Sequence, residues 1–245
     1  MKRIVLILLT LLPVLGTGQT PTGAEILKKI DENTIAGNRS ATTTMIVHSR
    51  RGDRTMRLKS WIQGSEKSFS EYLAPAREKG TKMLKLGDQL WLYSPQSDRI
   101  IRIAGHMLRQ SMMGSDFSYE DMMEDRSLTD TYNAKVLGSE SFRDRDCWVL
   151  ELTAIVDDAA YHSRKIWVDK ARMLALREDR FAKSGKLLKT AEILEVFLVN
   201  QRWYPKRMVF KDALSNGKGT ELVINSIEFD VEIPGHIFSK AALRK

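Results

Sequence analysis

The sequence predicts a mainly β protein with a few helices, built around one large antiparallel sheet that is curled or closed. About a dozen short runs are rich in β-branched and aromatic residues, turn residues separate them, and helical spacing is confined to a few stretches. No internal repeat, low-complexity stretch or linker divides the 245 residues. We therefore expect a single domain.

The N-terminus has the order of a secretory signal peptide. Met1-Lys2-Arg3 is positive, Ile4 to Leu12 is almost wholly aliphatic, and Gly16-Thr17-Gly18 supplies small residues. The apolar run is far shorter than the roughly 20 residues of a membrane-spanning helix. We predict a cleavable signal peptide over residues 1–18, removed after Gly18, and one domain over residues 19–245.

Cysteine usage bears on where the exported chain stays. The only cysteine is Cys147, so no cysteine follows the signal peptide to receive a lipid anchor and no intrachain disulfide can form. We predict a soluble periplasmic protein. Because Cys147 lies in the apolar run Cys147–Leu150, we interpret it as a small buried residue rather than a reactive thiol.

The charge balance excludes one class of partner. The formal net charge of +8 becomes +6 without residues 1–18. Basic residues are spread along the chain and are not interleaved with stacking aromatics, which argues against nucleic acid. The positive charge suits anionic lipid head groups, although ordinary solubility explains it more simply. We expect a monomer.

The first ordered element is a helix. Thr22 with Glu25 forms a capping box, apolar residues recur at helical spacing from Ile26 to Ile30, and Gly37 ends the element.

Strand-like runs follow at near-regular spacing, separated by turn signals such as Gly87-Asp88 and Ser184-Gly185. The predicted strands are Thr42–Ser49, Arg54–Ile62, Ser68–Leu73, Thr81–Leu86, Gln89–Tyr93, Arg99–Ile103, Tyr132–Leu137, Cys147–Ile155, Ser163–Val168, Met173–Phe181, Lys186–Val199, Tyr204–Lys211 and Thr220–Ile233.

Alternation within the strands indicates two partly apolar faces. Leu90 and Leu92 share one face, while Trp91 and Tyr93 share the other. Each face then needs a cover. We expect the first helix to cover one face and the flap, a ligand, or both to cover the other.

The segment that we call the flap, residues 104–125, interrupts the strands. It reads as two short helices hinged at Gly114, the second capped by Ser118 with Asp121. Five of the 11 methionines lie here; they are Met107, Met112, Met113, Met122 and Met123. Methionine suits surfaces that accept varied apolar partners. A movable lid over an apolar cavity and a permanent plug fit the sequence equally well.

Signals for catalysis or metal binding are weak. The four histidines are far apart, and none has a second His or Cys at metal-ligand spacing. The flap also carries an acidic cluster, which we interpret as a solvated helix face: Asp116, Glu120, Asp121, Glu124 and Asp125. We predict no enzyme, metal site or cofactor.

Four segments resemble a bacterial family, the outer-membrane lipoprotein-sorting proteins, which are similar to the carrier LolA and the receptor LolB. The segments are Leu90–Pro95, Asp98–Ile100, Met113–Asp121 and Ile233–Leu243. The Gly-Ser-Asp-Phe-Ser-Tyr-Glu-Asp run within Met113–Asp121 is distinctive, and the Trp-Leu-Tyr run is much less so. The resemblance spans most of the chain after residue 18.

The resemblance implies a half-open, unclosed β-barrel, with helices at its mouth and an apolar interior for lipids or lipoprotein acyl chains. It also implies an inner-membrane transporter and an outer-membrane acceptor as partners. LolA holds its lid with an arginine, and we assign no arginine of this sequence to that role. The alternative is a periplasmic lipid sensor similar to RseB. The residues that we expect to line the cavity and lid are Met56, Leu58, Leu90, Leu92, Met107, Leu108, Met112, Met113, Phe117, Met122 and Met123.

Overall fold

The structure is a computed structural model that describes residues 20–34, 37–50, 52–124, 126–215 and 217–244. The predicted signal peptide lies outside the described residues. The strands form one sheet. They are β1 Asn38–Val47, β2 Arg54–Gln63, β3 Lys67–Ala74, β4 Lys82–Leu86, β5 Gln89–Ser94, β6 Arg99–Ile103, β7 Tyr132–Phe142, β8 Arg145–Ala154, β9 Ser163–Asp169, β10 Leu174–Phe181, β11 Leu187–Val199, β12 Arg202–Asp212 and β13 Thr220–Phe229.

The sheet has thirteen antiparallel strands in the order β6-β5-β4-β3-β2-β1-β13-β12-β11-β10-β9-β8-β7. The first and last strands pair in its middle, and each half of the chain runs outward as a series of hairpins. The edge strands β6 and β7 follow each other in sequence but do not pair. This mainly β, curved and unclosed sheet confirms the predicted fold class.

Each of the thirteen predicted strands is present, and β6 has the predicted bounds. The Gly87-Asp88 turn joins β4 to β5, with Gly87 at a φ of +54° that glycine adopts without strain. The last prediction is wrong beyond Phe229. Asp230 has a φ of 59° and Pro234 lacks an N–H, so the strand stops and residues 235–244 form 3₁₀ turns.

Helix α1, Gly23–Thr34, has the predicted capping box. The Thr22 backbone N–H donates to Glu25 Oε2 at 2.7 Å, and the Glu25 N–H donates to Thr22 Oγ1 at 3.3 Å. Three buried residues of α1 pack on strands β7 to β10: Ile26, Leu27 and Ile30. Across the described residues, every helix is too short or too polar to cross a lipid bilayer.

Both α1 and the flap cover the same face of the sheet, which we call the inner face. Residues that are paired on neighbouring strands point to the same face of the sheet. A continuous series of such pairs runs from Val47, which packs beneath the flap, to Ile166, which packs beneath α1. The residues between them in this series are Thr220, Phe210, Ala191 and Glu178. The expectation that helix and flap would cover opposite faces is therefore wrong. They divide one face between them.

The C-terminal turns cover part of the outer face. Ile233, Phe238 and Leu243 pack there against a group that includes Trp91. Tyr93 contacts the same group, whereas Leu90 and Leu92 lie on the inner face, as the alternation predicts.

Cys147 lies in a second outer-face cluster, packed with Val149 and Trp167. It is fully buried, and burial raises the pKa of its thiol to about 11. The prediction of a buried structural cysteine is confirmed.

Candidate functional site

The flap connects the two edge strands and packs on the inner side of β1 to β6 and of the neighbouring β12 and β13. It contains 3₁₀ turns at Gly105–Arg109 and Met112–Gly114 and the short helix α2, Tyr119–Met123. The predicted first helix is thus two 3₁₀ turns. Gly114 marks a break in direction with a φ of +68°, and the Ser118–Asp121 capping box is present.

All eleven residues predicted to line the cavity and lid belong to one apolar cluster beneath the flap. Met56 is 1% exposed, and Met112 and Phe117 are 4% and 9% exposed. The Phe117 and Phe210 ring centroids are 4.1 Å apart. In this arrangement, side chains of the flap occupy the space that was predicted to hold a ligand.

The middle of the inner face is more open than its two ends. Residues of β11 and β12 are mostly half-buried, because neither α1 nor the flap fully covers these strands. A cavity of about 110 Å³ lies there, between the two covers. Its lining residues are Ala175, Glu178, Arg180, Ala191, Glu192, Ile193, Met208 and Phe210.

A buried ionic network joins the flap to the inner face. Three cations, which we call the cation cluster, come from β9, β10 and β11; they are Arg164, Arg180 and Lys189. Glu178 of β10 accepts from Arg164 at 2.6 Å and from Arg180 at 2.9 Å. The Asp121 side chain on the flap is only 3% exposed.

The flap supplies the other carboxylates of this network. Asp121 accepts from Arg180 at 3.2 Å, from the Tyr161 hydroxyl at 2.5 Å and from Lys189. Glu124 pairs with Arg164 and lies 3.6 Å from Arg180. The flap is therefore fastened to the sheet by charged groups as well as by its apolar side chains.

The pKa shifts follow from this pairing. Burial alone would raise the pKa of Glu178, but Arg180 and Arg164 outweigh it and lower the pKa to about 2. Burial likewise opposes ionisation of Asp121, and Arg180 with Lys189 lowers its pKa. Burial lowers the pKa of Arg164 to about 10, which still leaves its guanidinium charged at neutral pH, as the lowered pKa values leave the carboxylates of Glu178 and Asp121.

Further contacts hold the first half of the flap. The Asp116 backbone N–H donates to Thr220 Oγ1 at 2.9 Å, and that hydroxyl donates to the Asp116 carboxylate at 2.7 Å. The Asp212 backbone N–H also donates to Asp116, at 3.0 Å. Arg54 donates to the carbonyl oxygen of Met113.

The interpretation of the acidic cluster as a solvated face is wrong for three of its members. Asp116, Asp121 and Glu124 hold the flap against the sheet, because each finds donors on the inner face or its rim. Glu120 is half-buried, and burial raises its pKa. Asp125 lies outside the described residues.

A cavity of about 700 Å³ lies at the rim rather than under the flap. Its walls are the flap, the β8–β9 loop and the hairpin between β10 and β11, and of the predicted residues only Phe117 lines it. Among the described residues, no group of three or more His, Cys, Asp or Glu side chains is placed to hold a metal ion.

Comparison with solved structures identifies relatives of this fold. A putative outer membrane lipoprotein-sorting protein domain from Vibrio parahaemolyticus is 27% identical, with 91% of this chain and 98% of that chain aligned and a TM-score of 0.79. A LolA superfamily protein from Nitrosomonas europaea is 25% identical, with 91% and 100% aligned and a TM-score of 0.76. A DUF1329 family protein from Desulfovibrio piger shares the fold at 24% identity, with 90% and 97% aligned and a TM-score of 0.82.

Sequence comparisons add a family but no functional description. None of the curated proteins matches this chain. A family model described only as that of an uncharacterized protein matches residues 64–245. The chain therefore belongs to that family, and its fold is that of the LolA-like outer-membrane lipoprotein-sorting proteins.

Proposed function

We propose that the chain is a periplasmic, non-enzymatic carrier that binds lipids or lipoprotein acyl chains between the flap and the inner face. It is exported by the signal peptide over residues 1–18, and residues 19–245 form the carrier. An inner-membrane transporter and an outer-membrane acceptor are its proposed partners. The observation that carries the proposal is a single apolar cluster that contains all eleven predicted residues, seven of them on a separate covering segment.

Binding requires the flap to exchange its own apolar contacts for those of the ligand. Five methionines of the flap pack in the cluster, and methionine repacks around varied apolar shapes at little cost. Each CH₂ group removed from water contributes ~0.8 kcal/mol, so one long acyl chain contributes several kcal/mol. The neighbouring cavity beside Met208 and Phe210 continues the apolar surface toward the middle of the sheet.

The first test is direct detection of bound lipid. We expect native mass spectrometry of the purified protein, and organic extraction of it, to reveal an acyl-chain ligand, and fatty acid to displace a fluorescent fatty-acid probe. Absence of any apolar ligand in all three measurements would contradict the carrier.

A disulfide across the flap tests whether this cover is a lid or a plug. Asp116 and Thr220 are in side-chain contact, so the double variant Asp116→Cys/Thr220→Cys places two thiols at the flap–sheet junction. We expect the oxidised form to lose uptake of the fluorescent fatty acid and the reduced form to regain it. Thr220→Cys alone, oxidised in the same way, is the control. Unchanged uptake in the oxidised double variant would mean a fixed plug.

A further inference from the structure

The charges beneath the flap are divided unequally between its two sides. Among the described residues, the inner face contributes the cation cluster, with three positive charges, and one carboxylate of the network, Glu178. The other two carboxylates, Asp121 and Glu124, belong to the flap. The three cations and three carboxylates balance only while the flap lies against the inner face.

The cations also keep hydrogen-bonding capacity that their present partners do not use. Arg164 is 4% exposed and the Arg180 side chain 12% exposed. The Nε–H groups of both arginines are buried without a hydrogen-bond partner among the described residues. A buried donor without an acceptor is destabilising, and more so when it is charged. These groups favour an additional or better-placed acceptor.

The cation cluster adjoins an apolar wall. Arg180, Glu178 and Glu192 line the 110 Å³ cavity together with the apolar residues Ala191, Met208 and Phe210. An acyl chain lying on that wall would have its end next to the arginines. Displacing the flap for such a chain would leave an excess of two positive charges in a poorly solvated place, which is strongly unfavourable unless another anion replaces the flap carboxylates.

We infer that the ligand is an anionic amphiphile whose acid group takes the place of Asp121 and Glu124 on Arg164, Arg180 and Lys189. The inference rests on the proposed carrier function and names its ligand class. Carboxylate and phosphate share the required chemistry, because each accepts charge-assisted hydrogen bonds from arginine and lysine. The flap carboxylates and the acid group of the ligand then compete for the same cations. Binding of the acid group therefore displaces the flap from the sheet.

Matched ligands that differ only in the acid group test this inference. The pairs are dodecanoate against dodecanol, and lauroyl lysophosphatidic acid against monolauroylglycerol, each measured by displacement of a neutral fluorescent lipid. We expect the acid of at least one pair to bind about tenfold or more tightly than its neutral partner. A preference confined to one pair identifies the acid group as a fatty carboxylate or a lipid phosphate. Equal binding within both pairs overturns the inference and leaves the carrier standing, whereas no binding by any of the four overturns the carrier itself.

Variants locate the acid group. Lys189→Gln is expected to remove most of the acid-over-neutral preference, whereas Lys186→Gln, at an exposed position on the same hairpin, leaves it unchanged. Glu124→Gln removes an internal competitor and is expected to increase the preference. This opposite effect remains informative if Lys189→Gln folds poorly. A preference that Lys189→Gln and Glu124→Gln leave unaltered would place the acid group elsewhere.

Discussion

Of the three residues in the cation cluster, Arg180 contacts the most carboxylates. Its guanidinium contacts Glu178 at 2.9 Å, Asp121 at 3.2 Å and Glu124 at 3.6 Å. Because its removal leaves buried carboxylates without their cation, we expect Arg180→Met to lower the free energy of unfolding by about 3–5 kcal/mol. Denaturant unfolding measures this. Arg99→Met, at an exposed position on β6, is the control and is expected to change stability by less than about 0.5 kcal/mol.

Glu178 gives stability a dependence on acid pH. Its pKa is depressed from 4.5 to about 2 in the folded chain, so its ionisation stabilises the fold fully above pH about 4.5. That contribution is lost as the pH falls toward about 2. We expect the melting temperatures of the wild type and Glu178→Gln to differ most near neutral pH and to converge below pH about 4.5. A constant difference across this range would contradict the assignment.

The residues of the ionic network show where reading a sequence by alternation succeeds and fails. Arg164 has the same parity as buried Ile166 and Val168, so alternation alone places it on the inner face. Glu178 and Arg180 have the parity of Leu174 and Leu176, which lie on the outer face. A bulge between Ala175 and Arg177 reverses the side-chain direction. Nothing in the sequence marks that bulge, so the inner-face position of Arg180, a partner of Asp121 and Glu124, was not predictable.

At the scale of elements, α1 and the flap cover the same face with different composition. Leu27 of α1 is 1% exposed in a mostly aliphatic cluster, whereas Met122 of the flap is only partly buried. We expect Leu27→Ala to lower the free energy of unfolding by about 2–5 kcal/mol without changing the affinity for dodecanoate. Met122→Ala is expected to cost about 1 kcal/mol or less and to weaken dodecanoate binding. Denaturant unfolding and probe displacement, applied to both variants, separate the two roles. If both variants lose stability and affinity in the same proportion, α1 and the flap are one core.

Most elements were predictable because their signals are local. The Thr22–Glu25 box starts α1, and Gly87-Asp88 makes a tight turn, whatever the rest of the chain does. Alternation likewise places Met56 with Leu58, and Leu90 with Leu92, on one face of each strand, and all four lie on the inner face. That the eleven named residues bind a ligand stays a prediction. The shared coverage of the inner face was not predictable, because it depends on a register that crosses the whole sheet.

The whole molecule is held by covers on both faces of a single sheet. On the outer face, Leu243 is fully buried against the cluster that contains Leu84 and Trp91. We expect Leu243→Asp to destabilise the protein by at least about 4 kcal/mol and to promote aggregation, because it buries a charge and uncovers an apolar surface. Leu214→Asp is the control, since Leu214 is 58% exposed. Thermal unfolding and size-exclusion chromatography compare the two, and equal solubility with equal melting temperatures would show that the C-terminal turns are dispensable.

The connection between the edge strands β6 and β7 sets a geometrical limit on any opening. Residues 104–131 connect the edge strand β6 to the other edge strand, β7, so this segment is attached to the sheet at both of its ends. A segment attached at both ends cannot rotate away from the sheet about one hinge. It can open only by moving outward within the limit of its own length, or by a separation of the two edge strands. The length of this connection therefore limits the cross-section of a ligand that fits beneath it. We expect a deletion of a few residues from it to exclude branched or multi-chain lipids before it excludes single acyl chains.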